Sequence, residues 1–65
     1  MSTIGKNIKK LREQKGISQD RLSKLADISS NTIAKLELDE SPNPTIDTLK
    51  KIASALNVKI EQLIQ

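Results

Sequence analysis

Cysteine, histidine, phenylalanine, tyrosine and tryptophan are all absent from this 65-residue chain, and each absence closes a class of function. Without cysteine, neither a disulfide framework nor a cysteine-based zinc site can brace a domain this small. Without histidine, the commonest metal ligand and the commonest general base are missing. Without aromatic rings there is no platform on which unpaired bases could stack, and any core must be aliphatic. No apolar run approaches the roughly 20 residues that cross a bilayer. The opening residues, Met1 to Asn7, contain no hydrophobic segment of a secretory leader, so the expected location is the cytoplasm. The chain has no Gly-rich phosphate loop, no carboxylate cluster arranged as a site, and no serine with an identifiable base beside it. Hence the expectation is no enzyme, no metal, no cofactor and no small-molecule ligand.

What is present is mild positive charge, unevenly placed. The chain carries 11 Lys/Arg against 8 Asp/Glu, a net charge of +3. Residues 1–38 hold eight basic against four acidic side chains, whereas residues 39–65 hold three against four. The positive excess thus lies wholly in the first part, as expected of a surface that faces a polyanion. An ordinary solvated surface has the same composition, so charge alone does not decide between them.

The apolar residues repeat with helical spacing throughout, and no segment alternates with the period of a strand. Ile4, Ile8 and Leu11 lie on one face of a first helix, capped by Ser2 or Thr3 and ended by Lys15 and Gly16. Ser18 caps a second helix whose apolar face is Leu22, Leu25 and Ala26. After a break at Asp27 and Ile28, Ser29 or Ser30 caps a third, with Ile33 and Leu36 turned inward. The stretch 39–44 contains Pro42 and Pro44 and is not helical. Thr45 caps a fourth helix with Ile46, Leu49, Ile52, Ala53 and Leu56 inside. Asn57 ends it, and a short fifth helix carries Val58, Ile60, Leu63 and Ile64. The expected fold is all-α, a single domain over 1–65 built as a compact five-helix globule.

Residues 18–38 read as helix, tight turn, helix, the connection of a DNA-binding helix-turn-helix. In such a pair the first helix braces across the backbone while the second enters the major groove. The residues then support a specific likeness. Ile4 to Arg12, Lys15 to Gln19, Leu22, Ile28-Ser29, Thr32-Ile33 and Glu37 match in order. So do Asn43-Pro44-Thr45, Thr48-Leu49, Lys51 to Ala53 and Ala55 to Val58. Together they resemble the phage-repressor and Cro type of helix-turn-helix, the xenobiotic-response-element family, whose fold is the lambda-repressor-like domain.

The resemblance implies roles. Gln19 would hydrogen-bond a DNA phosphate. Ser29, Ser30, Asn31, Thr32 and Lys35 would face the groove, with Asn31 suited to adenine, Lys35 to guanine, and Thr32 or Ala34 to a thymine methyl. Ser41 and Asn43 could contact phosphate from the loop after the third helix. Arg12 and Glu37 would form a structural ion pair, for which the planar guanidinium fork is suited and lysine is not. Lys6, Lys10, Lys15, Arg21 and Lys24 would add diffuse attraction. The implied partners are double-stranded DNA and a second copy of the chain, because one short helix reads few base pairs. A sequence-specific transcriptional regulator, a repressor on a palindromic operator, is the function implied.

Three features depart from the family pattern. Asp27 and Asp39 stand where glycine is usual, and an aspartate in a left-handed conformation costs of order 1 kcal/mol. The loop after the third helix begins with two acidic residues, Asp39 and Glu40, which would oppose a phosphate backbone. Leu38 stands at a usually polar position. The acidic loop and Leu38 leave a second reading open, a protein-interaction module, antitoxin-like or adaptor, that keeps the fold and binds DNA weakly.

Overall fold

Local chain chemistry sets where each helix starts and stops. The computed structural model describes residues 3–38 and 44–64, Thr3 by its backbone alone. It contains α1 (Thr3–Gln14), α2 (Gln19–Ala26), α3 (Ser30–Glu37), α4 (Ile46–Leu56) and α5 (Glu61–Ile64), and no strand among the described residues. Ser18, Ser29 and Thr45 sit in extended conformation ahead of α2, α3 and α4. Their hydroxyls accept the N–H of Arg21, Thr32 and Thr48 at 3.0–3.1 Å, each satisfying an otherwise orphaned donor. Of the two serines considered for α3, Ser29 is the cap. Helix α1 is already helical at Thr3, and its other candidate cap, Ser2, lies outside the described residues.

Three helices end the same way. Gly16, Asp27 and Asn57 adopt left-handed conformations, with φ of 71°, 58° and 57°. The next residue reaches back to the preceding turn: Ile17 N–H donates to the Arg12 carbonyl, Ile28 to Ser23 and Val58 to Ala53, at 3.0–3.2 Å. This is the hydrogen-bond pattern of a Schellman stop, and the aliphatic side chain after each turn packs on the core, as such stops favour. Asp27 therefore occupies the left-handed site where glycine is usual. Asp39, the other such substitution, lies outside the described residues.

The core is aliphatic, with Ile8, Leu22, Ile33, Ile52, Leu56 and Leu63 all less than 2% exposed. Two residues expected inside, Leu25 and Ile46, are on the surface, and so is Ile64 from the apolar set of the fifth helix. Leu25 is 47% exposed, Ile46 62% and Ile64 52%. Neighbouring residues on a helix point about 100° apart, so Leu63 and Ile64 cannot both face inward. Ile46 is the first residue of α4, and the residues below it, Leu49 and Ile52, meet the core instead. On α2 the inward stripe is Leu22, Ser23 and Ala26, which turns Leu25 outward. Ser23 is buried but satisfied, since its hydroxyl donates to the Asp20 carbonyl at 2.6 Å.

Two contacts lock α1 to the rest. Gly5 is buried where α1 crosses α3, and a Cβ built there would overlap the carbonyl oxygen of Leu36. A glycine inside a helix costs about 1 kcal/mol against alanine, and here it permits the close approach. Asn7 donates from Nδ2 to the Leu63 carbonyl at 2.8 Å, fastening α5 to α1. The start of α5 has Lys59 where a capping hydroxyl is usual, and Gln62 answers by accepting the Lys59 N–H at 3.1 Å, one half of a capping box. The described residues have a radius of gyration of 10.1 Å.

Candidate nucleic-acid interface

Helix α3 is amphipathic because Ile33 and Leu36 are buried while Asn31, Lys35 and Leu38 recur at i, i+4 and i+7 on the opposite side. Ser29, Ser30, Asn31 and Lys35 are exposed, and Thr32 and Ala34 are half-buried. The side chains of Asn31 and Lys35 make no hydrogen bond or ion pair among the described residues, so their donors face solvent. Ser29 and Thr32 differ from them. Ser29 Oγ accepts the Thr32 N–H and lies 2.8 Å from Thr32 Oγ1, so both hydroxyls belong to the cap that starts α3. Asn43, Ser41, Asp39 and Glu40 lie outside the described residues.

The elements that hold α3 in place meet at one carboxylate. Arg12 donates from Nε to Glu37 Oε2 at 2.7 Å and from Nη2 to Glu37 Oε1 at 3.0 Å. Its third nitrogen, Nη1, donates to the Ile17 carbonyl in the turn between α1 and α2, at 2.8 Å. The side chains of Arg12 and Glu37 are 12% and 3% exposed. This is a bidentate, nearly dry ion pair, the geometry for which arginine is suited. Burial pushes the Glu37 carboxyl up, but hydrogen bonds from Arg12 and Gln19 and the charges of Arg12 and Lys9 outweigh it, leaving its pKa below the ordinary value. The Arg12 guanidinium is correspondingly raised, chiefly by its hydrogen bond to Glu37.

Gln19, read from the sequence as a phosphate contact, is the first residue of α2 and is half-buried. Its Nε2 donates to Glu37 Oε1 at 3.0 Å. The structure thus brings Arg12, Gln19 and Glu37 into one cluster, joining the end of α1, the start of α2 and the end of α3. Three participants carried no role in the sequence reading. Lys9 is near enough for its charge to act on Glu37, Gly5 admits α3, and Asn7 holds α5. Glycine within a helical pattern was a visible signal for Gly5; the other two depend on which helix faces meet.

The shape matches a groove-reading module. Eight helical residues rise about 12 Å, the length of three to four base pairs, and a helix about 10–12 Å across fits a major groove about 12 Å wide. Among the described residues there is no cluster of three or more acidic side chains that could hold a metal. No helix of the described residues is long and apolar enough to cross a membrane.

Comparison with known proteins agrees with this geometry. A helix-turn-helix family model matches residues 8–63. The chain is 31% identical over 62 residues to the immunity repressor protein of Bacillus phage phi105, covering 95% of this chain and 42% of that protein. It is 38% identical over 61 residues to the HTH-type transcriptional regulator SutR of Escherichia coli (strain K12), covering 94% and 34%. The chain therefore spans less than half the length of these relatives. The crystal structure of the restriction-modification controller protein C.AhdI from Aeromonas hydrophila matches with a TM-score of 0.89 at 26% identity, covering 94% of this chain and 91% of that one. With the five helices of its described residues, their α2–α3 pair and this match across most of its length, the chain belongs to the helix-turn-helix family of the phage-repressor and Cro type.

Proposed function

We propose that this chain binds double-stranded DNA in a sequence-specific manner as a transcriptional regulator, a repressor acting in the cytoplasm as a homodimer on an approximately palindromic operator. The observation that carries the reading is α3, which presents Ser30, Asn31 and Lys35 to solvent while its opposite face and its Glu37 end are anchored. Asn31 offers the paired donor and acceptor that match adenine N7 and N6, and Lys35 a donor for guanine O6 and N7. Ser29 and Thr32, held in the cap, line the entrance to the groove. Gln19 meets a phosphate from the start of α2, where the helix dipole favours an anion, and Asn43 meets another. Three to four base pairs are too few to specify a site, so two copies would place their α3 helices about one DNA turn, roughly 34 Å, apart.

The test is selection from a random duplex pool, followed by titration of the enriched duplex across salt concentrations. An enriched near-palindrome whose affinity falls steeply with salt supports specific reading together with phosphate contact. A second reading, a protein-interaction module, draws on Leu38, which is 67% exposed on the same stripe as Asn31 and Lys35. It takes precedence if no sequence is enriched and binding stays weak at low salt.

A further inference from the structure

The Glu37 carboxylate receives one more donor than an ion pair with arginine requires. Oε2 accepts Arg12 Nε, and Oε1 accepts both Arg12 Nη2 and Gln19 Nε2, each at 3.0 Å. We propose that Glu37 is a positioning residue for DNA binding, which orients the Gln19 amide toward a backbone phosphate before DNA arrives. This inference rests on the DNA-binding reading above.

The chemistry runs through the polarity of an amide. An ionised carboxylate can only accept hydrogen bonds, so it selects the nitrogen end of the Gln19 amide and excludes the oxygen end. Nε2 carries two hydrogens. One is donated to Glu37, and the second remains for a phosphate oxygen. A glutamine in open solvent has no such bias and presents its carbonyl oxygen, which a phosphate repels, as readily as its nitrogen. It also has to be immobilised on binding, which opposes association. Here the fold has already restricted it. Arg12, itself fixed by the Ile17 carbonyl, holds the carboxylate from the other side. The α2 end that faces phosphate and the helix that faces bases are therefore set in register by one side chain of α3.

The test is a double-mutant cycle with wild type, Gln19→Ala, Glu37→Gln and the double variant. Each is titrated on the duplex that wild type enriches, with far-UV circular dichroism confirming the fold. Gln19→Ala should lose about three- to tenfold in affinity, Glu37→Gln should lose a similar factor, and the double variant should lose no more than either alone. The positioning role is overturned if folded Glu37→Gln binds like wild type, if Gln19→Ala binds like wild type, or if the two losses multiply as independent effects. General loosening of the fold by Glu37→Gln would multiply with Gln19→Ala rather than merge with it. If wild type enriches no duplex at all, the DNA-binding reading falls first and this inference with it, whereas retained specific binding with independent losses overturns only the positioning role. Should Glu37→Gln not fold, nitrogen-15 relaxation of the Gln19 side-chain amide in free wild type decides. Order close to that of the backbone supports positioning, and motion as free as that of exposed Gln14 overturns it.

Discussion

Replacing Arg12 with alanine removes three hydrogen bonds, two to Glu37 and one to the Ile17 carbonyl, and strands a carboxylate whose side chain is only 3% exposed. Breaking a buried pair by deleting one partner costs about 3–5 kcal/mol, because the remaining charge is left uncompensated. A domain of this length has a total stability of about 3–10 kcal/mol, so Arg12→Ala stands at the edge of unfolding. The deficit also depends on pH. In folded wild type the Glu37 pKa lies below its ordinary value, so the unfolded chain takes up its proton first as pH falls. The contribution is complete above the ordinary glutamate pKa of about 4.3 and is lost as pH drops through the folded value. In Arg12→Ala the burial of Glu37 loses its main counterweight, the carboxyl protonates more easily, and the gap to wild type narrows on acidification. Urea unfolding followed by far-UV circular dichroism at neutral and acidic pH measures both effects; with no aromatic residue in the chain, intrinsic fluorescence cannot. A loss under about 1 kcal/mol, or a gap that stays constant with pH, would refute an energetically coupled buried pair.

Gly5→Ala should destabilise by about 3 kcal/mol or more, since the added methyl overlaps the Leu36 carbonyl and a packed crossing yields little; a wild-type urea midpoint would show that α1 and α3 can separate freely. Asp27→Gly should stabilise by about 1 kcal/mol by relieving a left-handed aspartate, visible as a rise in Tm of about 4–8 °C, and a fall in Tm would mean the aspartate side chain contributes there. Ser29→Ala should cost about 1 kcal/mol through the lost cap and weaken duplex binding as α3 frays. Unchanged stability in the urea assay would exclude the cap as a contributor.

What the sequence disclosed is chiefly what the chain decides over a few residues. Ser18, Thr45, Gly16 and Asn57 could be placed because a capping hydroxyl or a left-handed stop acts within one turn. Between Ser29 and Ser30 the local rule left a choice, and the structure makes Ser29 the cap. Leu25 and Ile46 were misplaced inside because apolar spacing marks a stripe without saying where the stripe's edge meets a neighbour. Ser23 took the buried place on α2 by satisfying its own hydroxyl within the helix. Arg12 and Glu37, 25 residues apart, have no local signal; family likeness paired them. That likeness did not disclose that Gln19 shares the same carboxylate, since a hydrogen bond across three elements exists only once they are packed. The base-facing roles proposed for Asn31 and Lys35 rest on their exposure on α3 and on the chemistry of their side chains.

The most direct measurement is parallel selection from one random duplex pool with wild type and with Lys35→Ala, both confirmed as folded. If α3 reads bases from the major groove, wild type enriches a near-palindrome, and the variant enriches the same sequence with preference lost at one position in each half-site, where the cost is about 1–3 kcal/mol of discrimination. Enrichment of identical sites by both proteins, or of no site by either, would contradict base reading by this face of α3.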